Sequence, residues 1–76
     1  SMPPYYKVEY APDPVDLDNE IGTFKTKHFF RNDTLTYIRY HGYKSNYFSV
    51  DKYADFVAFR KKVAESDDSK FVFIRD

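Results

Sequence analysis

The stretch from Ser49 to Glu65, SVDKYADFVAFRKKVAE, is the one part of the chain whose apolar residues recur at helical spacing over about four turns. Ser49 suits the N-cap, where its hydroxyl can accept from a free backbone N–H. Asp51 falls in the first turn and Lys61 and Lys62 near the last, so the charges oppose the helix dipole in the stabilising sense. On a wheel, Val50, Tyr53, Phe56, Val57, Phe59, Val63 and Ala64 cover about half the circumference. A helix with one such face must bury it, and the flanking segments alternate in strand fashion.

The remainder reads as strands and turns. Tyr6, Val8 and Tyr10 alternate with Lys7 and Glu9 in a strand over 5–10, which the prolines of Ala11-Pro12-Asp13-Pro14 end. Residues 15–21 suit a short edge strand or extended loop. Gly22 opens a longer strand, and Asn32-Asp33, two residues that tolerate left-handed backbone, mark a tight hairpin to a strand over 34–43. That turn pairs Phe30 with Leu35, His28 with Tyr37 and Phe24 with His41. Neither side of the hairpin is purely apolar, so alternation leaves open which side meets the helix. After the helix, Lys70 to Arg75 (KFVFIR) reads as a strand covered on both faces.

A chain of 76 residues has room for one small domain and buries only about 60% of the surface its unfolded form exposes. Ser1-Met2 reads as a cloning remnant and 1–4 as an extended lead-in, leaving a single domain over 5–76, a fragment of a larger protein. Eight Phe and eight Tyr are more rings than one helix and a few strands can hide, which puts tyrosines at the surface as contacts: Tyr5, Tyr6, Tyr10, Tyr37, Tyr40 and Tyr43. Twelve basic and twelve acidic residues cancel, so no long-range field draws the chain to nucleic acid or an anionic membrane. The absence of Cys rules out thiolate catalysis, thiolate metal sites and disulfides. No apolar run approaches the roughly 20 residues that span a bilayer.

His28 and His41 lie about two residue pairs apart in the hairpin register and read as ordinary sheet histidines rather than metal ligands. Asp16-Leu17-Asp18-Asn19-Glu20 resembles the start of a calcium loop, but Ile21 stands where the turn glycine belongs and Lys27 where the bidentate Glu belongs; a solvated edge fits better. Lys25, Lys27, Arg31, Arg39, Tyr37 and Tyr40 could form a stacking platform for single-stranded nucleic acid, and the same tyrosines could stack on sugar rings. Arg60 lies near the middle of the helix's apolar arc and reads as a structural anchor. Ser45, Ser49, Ser66 and Ser69 fall in turn or cap contexts, and no nucleophile with a base in reach is evident. The chain alone reads as non-catalytic and without a cofactor.

Several segments together carry a family resemblance: Ala11-Pro12-Asp13-Pro14-Val15; Asn19-Glu20-Ile21-Gly22-Thr23-Phe24; Asp33-Thr34-Leu35-Thr36-Tyr37 with Arg39; Tyr53 to Val63; and Lys70-Phe71-Val72-Phe73. Over most of 11–75 the chain resembles the C-terminal domain of bacterial, exported, multidomain proteins in which a domain of unknown function precedes a transglutaminase-like (papain-like thiol) core. The resemblance implies a terminal accessory domain with Tyr53, Phe56 and Arg60 as packing positions, a parent core that would carry a Cys, His and Asp triad, and an exported location. Ser49 stands where the family pattern has Pro, and both suit a helix start. The Tyr-rich strand over 5–10 has no counterpart in the pattern and is free to pair with strands outside the chain.

The resulting expectation is a small α+β domain, an antiparallel sheet of three to five strands packed on one helix in the order β-β-β-α-β. Its expected role is that of a non-catalytic interaction domain. Its partners would be the transglutaminase-like core of the same polypeptide and, for the isolated chain, a second copy in a homodimer, with no nucleic acid and no membrane insertion. An independent glycan-binding module is the alternative, and a single-stranded nucleic-acid binder the third reading.

Overall fold

The hairpin follows from its turn. In a computed structural model, which describes residues 6–75, Asn32 and Asp33 have φ of 50° and 62°, the left-handed pair whose twist matches the flanking strands. It joins β3 (Gly22–Arg31) to β4 (Thr34–Tyr43) in an unbroken antiparallel register that pairs Phe30 with Leu35, His28 with Tyr37 and Phe24 with His41, as the turn predicts. On the other side of β3 lies β2 (Asp16–Asp18), three residues long. Its reach is extended by Thr26, a buried hydroxyl residue whose Oγ1 accepts from the Val15 N–H (3.0 Å) while its own N–H donates to the Val15 carbonyl (2.9 Å). Asn19 shapes the β2–β3 turn, its Oδ1 accepting from the amides of Ile21 (2.9 Å) and Gly22 (3.3 Å).

The helix arrives through a single 3-10 turn, Val50–Lys52, and runs as α1 over Tyr53–Asp68. It differs from the expected Ser49–Glu65 at both ends. The Ser49 hydroxyl does not cap the backbone but donates to the Asp51 carboxylate. At the C-terminal end Asp67 and Asp68 prolong the helix past the lysines, leaving no basic residue in the last turn. The helix stops at Ser69, whose extended backbone turns its N–H to the Ser66 carbonyl (3.0 Å) and its Oγ to that of Glu65 (3.2 Å).

Phe24, Thr26, His28, Leu35, Tyr37, Arg39 and His41 lie on the side of the hairpin that faces α1. That side carries no lysine, whereas the other carries Lys25 and Lys27. The core between sheet and helix is small: Ile21, Phe24, Phe59 and Val63 are buried, with Val15, Leu17, Phe48 and Phe56 packed around them. His41 sits among these rings, edge-on to Phe24 and tilted over Phe59, and its Nε2 is buried without a hydrogen-bond partner among the described residues.

The strands form two sheets, not one. β1 (Tyr6–Tyr10) pairs antiparallel with β5 (Val72–Arg75), with a bulge at Glu9, in a ribbon separate from the β2-β3-β4 sheet. Two expectations are corrected here. The first strand finds its partner inside the chain, and the last is not covered on both faces: Val72 and Phe73 are exposed, because a two-stranded ribbon has only one ladder and no layer to cover it. Phe71 anchors the ribbon's base, meeting the rings of His28 (5.0 Å), Tyr37 (6.1 Å) and Phe30 (6.5 Å) edge-on. With extents of 52 × 17 × 14 Å, the chain has little interior in which to hide its sixteen Phe and Tyr rings.

Candidate interaction surface

The apolar arc of the helix is wider than the sheet beneath it. Phe56, Phe59, Val63 and Ser66, at helical spacing, form the stripe that faces the sheet. Alongside runs a second stripe of Tyr53, Val57, Arg60 and Ala64, extended by Val50 at the helix start, and this one is open. Val50 is 90%, Tyr53 67% and Val57 45% exposed. Between the two stripes a groove of about 260 Å³ is lined by Phe48, Val50, Tyr53 and Phe56.

Phe56 is the hinge of this surface. It stacks on Tyr43 (5.5 Å, 27°), lies 5.7 Å from Phe48, and carries the Arg60 guanidinium 5.9 Å above its ring. Of the three expected anchors, Phe56 is half-buried in an aromatic cluster, Arg60 lies exposed over that ring, and Tyr53 points outward at the groove's rim. The structure groups all three on one exposed surface. Periodicity alone places Val50 and Val57, which complete it, on the arc to be buried, since spacing does not say how much of an arc its partner covers.

The tyrosines expected as surface contacts do not share a plane. Tyr37 and Tyr43 lie on the helix side, held edge-on by Phe71 and stacked by Phe56 respectively. Tyr40 lies on the opposite side beside Gly42, and Tyr6 and Tyr10 belong to the ribbon. Tyr5 lies outside the described residues. The basic and aromatic mixture divides in the same way: Lys25, Lys27, Arg31 and Tyr40 are on the outer side, Tyr37 and Arg39 on the inner.

Charges on the remaining surface close on one another. Asp16 pairs with Lys25 (3.6 Å), Asp18 with Lys44 (2.7 Å), and Glu20 with Lys52 (2.9 Å). The hydrogen bonds of Lys44 and then of Thr23 hold the Asp18 carboxyl below its ordinary pKa, and Glu20 raises that of Lys52. The acidic stretch is thus a set of clasps binding β2 and its turn to the hairpin's end and the helix start. Among the described residues no group of three or more His, Asp or Glu converges as a metal site. None of the described helices is long and apolar enough to cross a membrane.

Comparison with the curated proteins and with the solved structures gives no match. A family model does match, over residues 1–73, which takes in both sheets and the helix except for the last two residues of β5. The chain therefore belongs to the family described as a Domain of Unknown Function with solved-structure structure (DUF3858).

Proposed function

We propose that this is a non-catalytic accessory domain whose open helix stripe seats it on a neighbouring domain of the same polypeptide, a transglutaminase-like core of an exported bacterial protein. One observation carries the reading: Val50, Tyr53 and Val57 form a continuous apolar stripe that the domain's own sheet leaves uncovered. A domain with so few buried residues has little reason to keep such a stripe in water, and contiguous exposed apolar surface marks contact sites. The family resemblance of the helix, at Tyr53, Phe56 and Arg60, supplies the neighbour.

The test uses the full polypeptide. Tyr53→Asp and Val57→Asp change exposed positions and should leave the isolated domain's stability within about 0.5 kcal/mol. In the full polypeptide they should release the domain, seen as faster amide exchange across 53–64 and cleavage of the connecting segment by added protease. Unchanged exchange and cleavage would overturn the assignment of this stripe.

A further inference from the structure

The two edges of the three-stranded sheet are treated very differently by the sequence. β2 is three residues long, follows Pro12 and Pro14, and carries Asp16 and Asp18, all devices that stop further strands from adding. β4 is ten residues long, has no bulge against β3, and contains no Pro, Lys, Asp or Glu. Its single formal charge, Arg39, is engaged by Asp67. Arg31 and Thr34 close the two-residue turn as a mutually bonded pair, so alternate residues from Thr34 bond to β3. The Lys44 N–H on the Ile21 carbonyl (2.9 Å) keeps that parity. Leu35, Tyr37, Arg39 and His41 therefore direct their amides and carbonyls outward, and none of these groups is bonded by a described residue.

We infer that the free edge of β4 pairs antiparallel with β4 of a second copy of this chain, about a two-fold axis at Ile38, joining two three-stranded sheets into one. The inference does not rest on the helix stripe, which lies on a different surface. A second copy is the occupant that the strand's own pattern fits. With Ile38 opposite itself, Tyr37 faces Arg39, Thr36 faces Tyr40 and Leu35 faces His41. No like charges meet, and aromatic residues face residues they pack well against. This register overlaps nearly all of β4 and makes about eight new main-chain hydrogen bonds. Shifting the axis by one residue to Arg39 would oppose two guanidinium groups. On the outer side the pairing sets Ile38, exposed in the single chain, against its own copy and the exposed Tyr40 against Thr36 of the second copy. The formal net charge of zero leaves no long-range repulsion between copies.

Sedimentation of the chain over a concentration series tests the assembly, and cysteine substitution tests the axis. The expected mass at about 100 μM is twice the 9.1 kDa of the chain. Ile38→Lys places two ammonium groups on the axis and should weaken the dimer severalfold while leaving the monomer's circular dichroism unchanged. Ile38→Cys, in a chain with no native cysteine, should form an intermolecular disulfide with oxidised glutathione, because opposed residues of a non-hydrogen-bonded pair lie within bridging distance. Thr36→Cys should crosslink to Tyr40→Cys and not to itself. A monomer at every concentration overturns the inference, as does a dimer in which Ile38→Cys fails to bridge.

Discussion

Arg39 and Asp67 are joined by two parallel hydrogen bonds, Nε to Oδ1 at 2.9 Å and Nη2 to Oδ2 at 2.8 Å, across 28 residues of chain. The pair ties the middle of β4 to the last turn of α1, and the guanidinium also lies 5.2 Å above the buried Phe24 ring. Asp67 raises the pKa of Arg39 by accepting these bonds, so the cation is held more firmly. The carboxylate sits where the helix dipole disfavours a negative charge, and Arg39 offsets that cost.

The two partners should therefore respond unequally to substitution. Arg39→Ala leaves Asp67 uncompensated at the helix end and should cost about 1 kcal/mol, the upper range for a partly exposed pair. Asp67→Asn loses the pair but relieves the dipole clash, and should cost about half as much or less. Urea midpoints of the two variants and of the double variant measure the difference; equal costs would refute the dipole argument.

Gly22 and Gly42, diagonal neighbours across β3 and β4 whose own partners are Tyr43 and Thr23, have opposite tolerance. A Cβ on Gly22 would lie 2.3 Å from the Gly42 carbonyl oxygen and 3.0 Å from Cζ of Phe59, backbone and core that cannot yield. Neither glycine has positive φ, so the demand is for space rather than conformation. Gly22→Ala should cost about 1–3 kcal/mol. A Cβ on Gly42 meets the Tyr40 hydroxyl at 3.0 Å, the far end of an exposed side chain that can swing away. Gly42→Ala should change stability by less than about 0.5 kcal/mol, as thermal melts would record.

The two stripes of α1 should separate in a stability scan. Phe59 is 2% exposed against His41 and Tyr43, and Phe59→Ala should cost about 3–5 kcal/mol. That is a large part of what a domain this size has to lose, about 4–10 kcal/mol, and the variant should be substantially unfolded at 37 °C. Tyr53→Ala, one turn and a half earlier on the open stripe, should melt close to the parent chain. His41→Phe removes the orphaned Nε2 from the core and should stabilise by about 1 kcal/mol.

Acid should loosen the β2 clasp before it affects the core. The folded-state pKa of Asp18 is lowered by Lys44 and Thr23, and that of Asp51 by the Ser49 hydroxyl. A lowered carboxyl pKa contributes stability that is complete above the unfolded value, about 4, and is lost as pH falls through the folded value. Stability should fall below about pH 4, and Asp18→Asn should flatten that limb. Lys52 works in the opposite sense: raised by Glu20, its contribution is complete below the ordinary lysine value and is lost at more alkaline pH. A pH series of denaturation midpoints for Asp18→Asn and Lys52→Gln separates the two limbs.

What was legible in the sequence was local. Asn32-Asp33 determined the hairpin and its register, and apolar spacing located the helix. The inward side of the hairpin was also within reach, since Lys25 and Lys27 mark the outer side, but the mixed aromatic content of both sides obscured it. The splitting into two sheets was not legible, because pairing of β1 with β5 joins the two ends of the chain and no local pattern encodes it. The Arg39–Asp67 tie was hidden for the same reason. Periodicity showed the width of the helix's apolar arc but not that a narrow hairpin covers only part of it, and the candidate surface lies in that difference.

The proposed seating of the domain within a larger exported polypeptide is tested most directly by the mass of the native chain that carries it. An antibody raised against the domain, applied to lysate and exported fractions, should detect a band many times larger than 9.1 kDa in the exported fraction. A free band near 9.1 kDa would contradict the account and make the domain a protein that works alone.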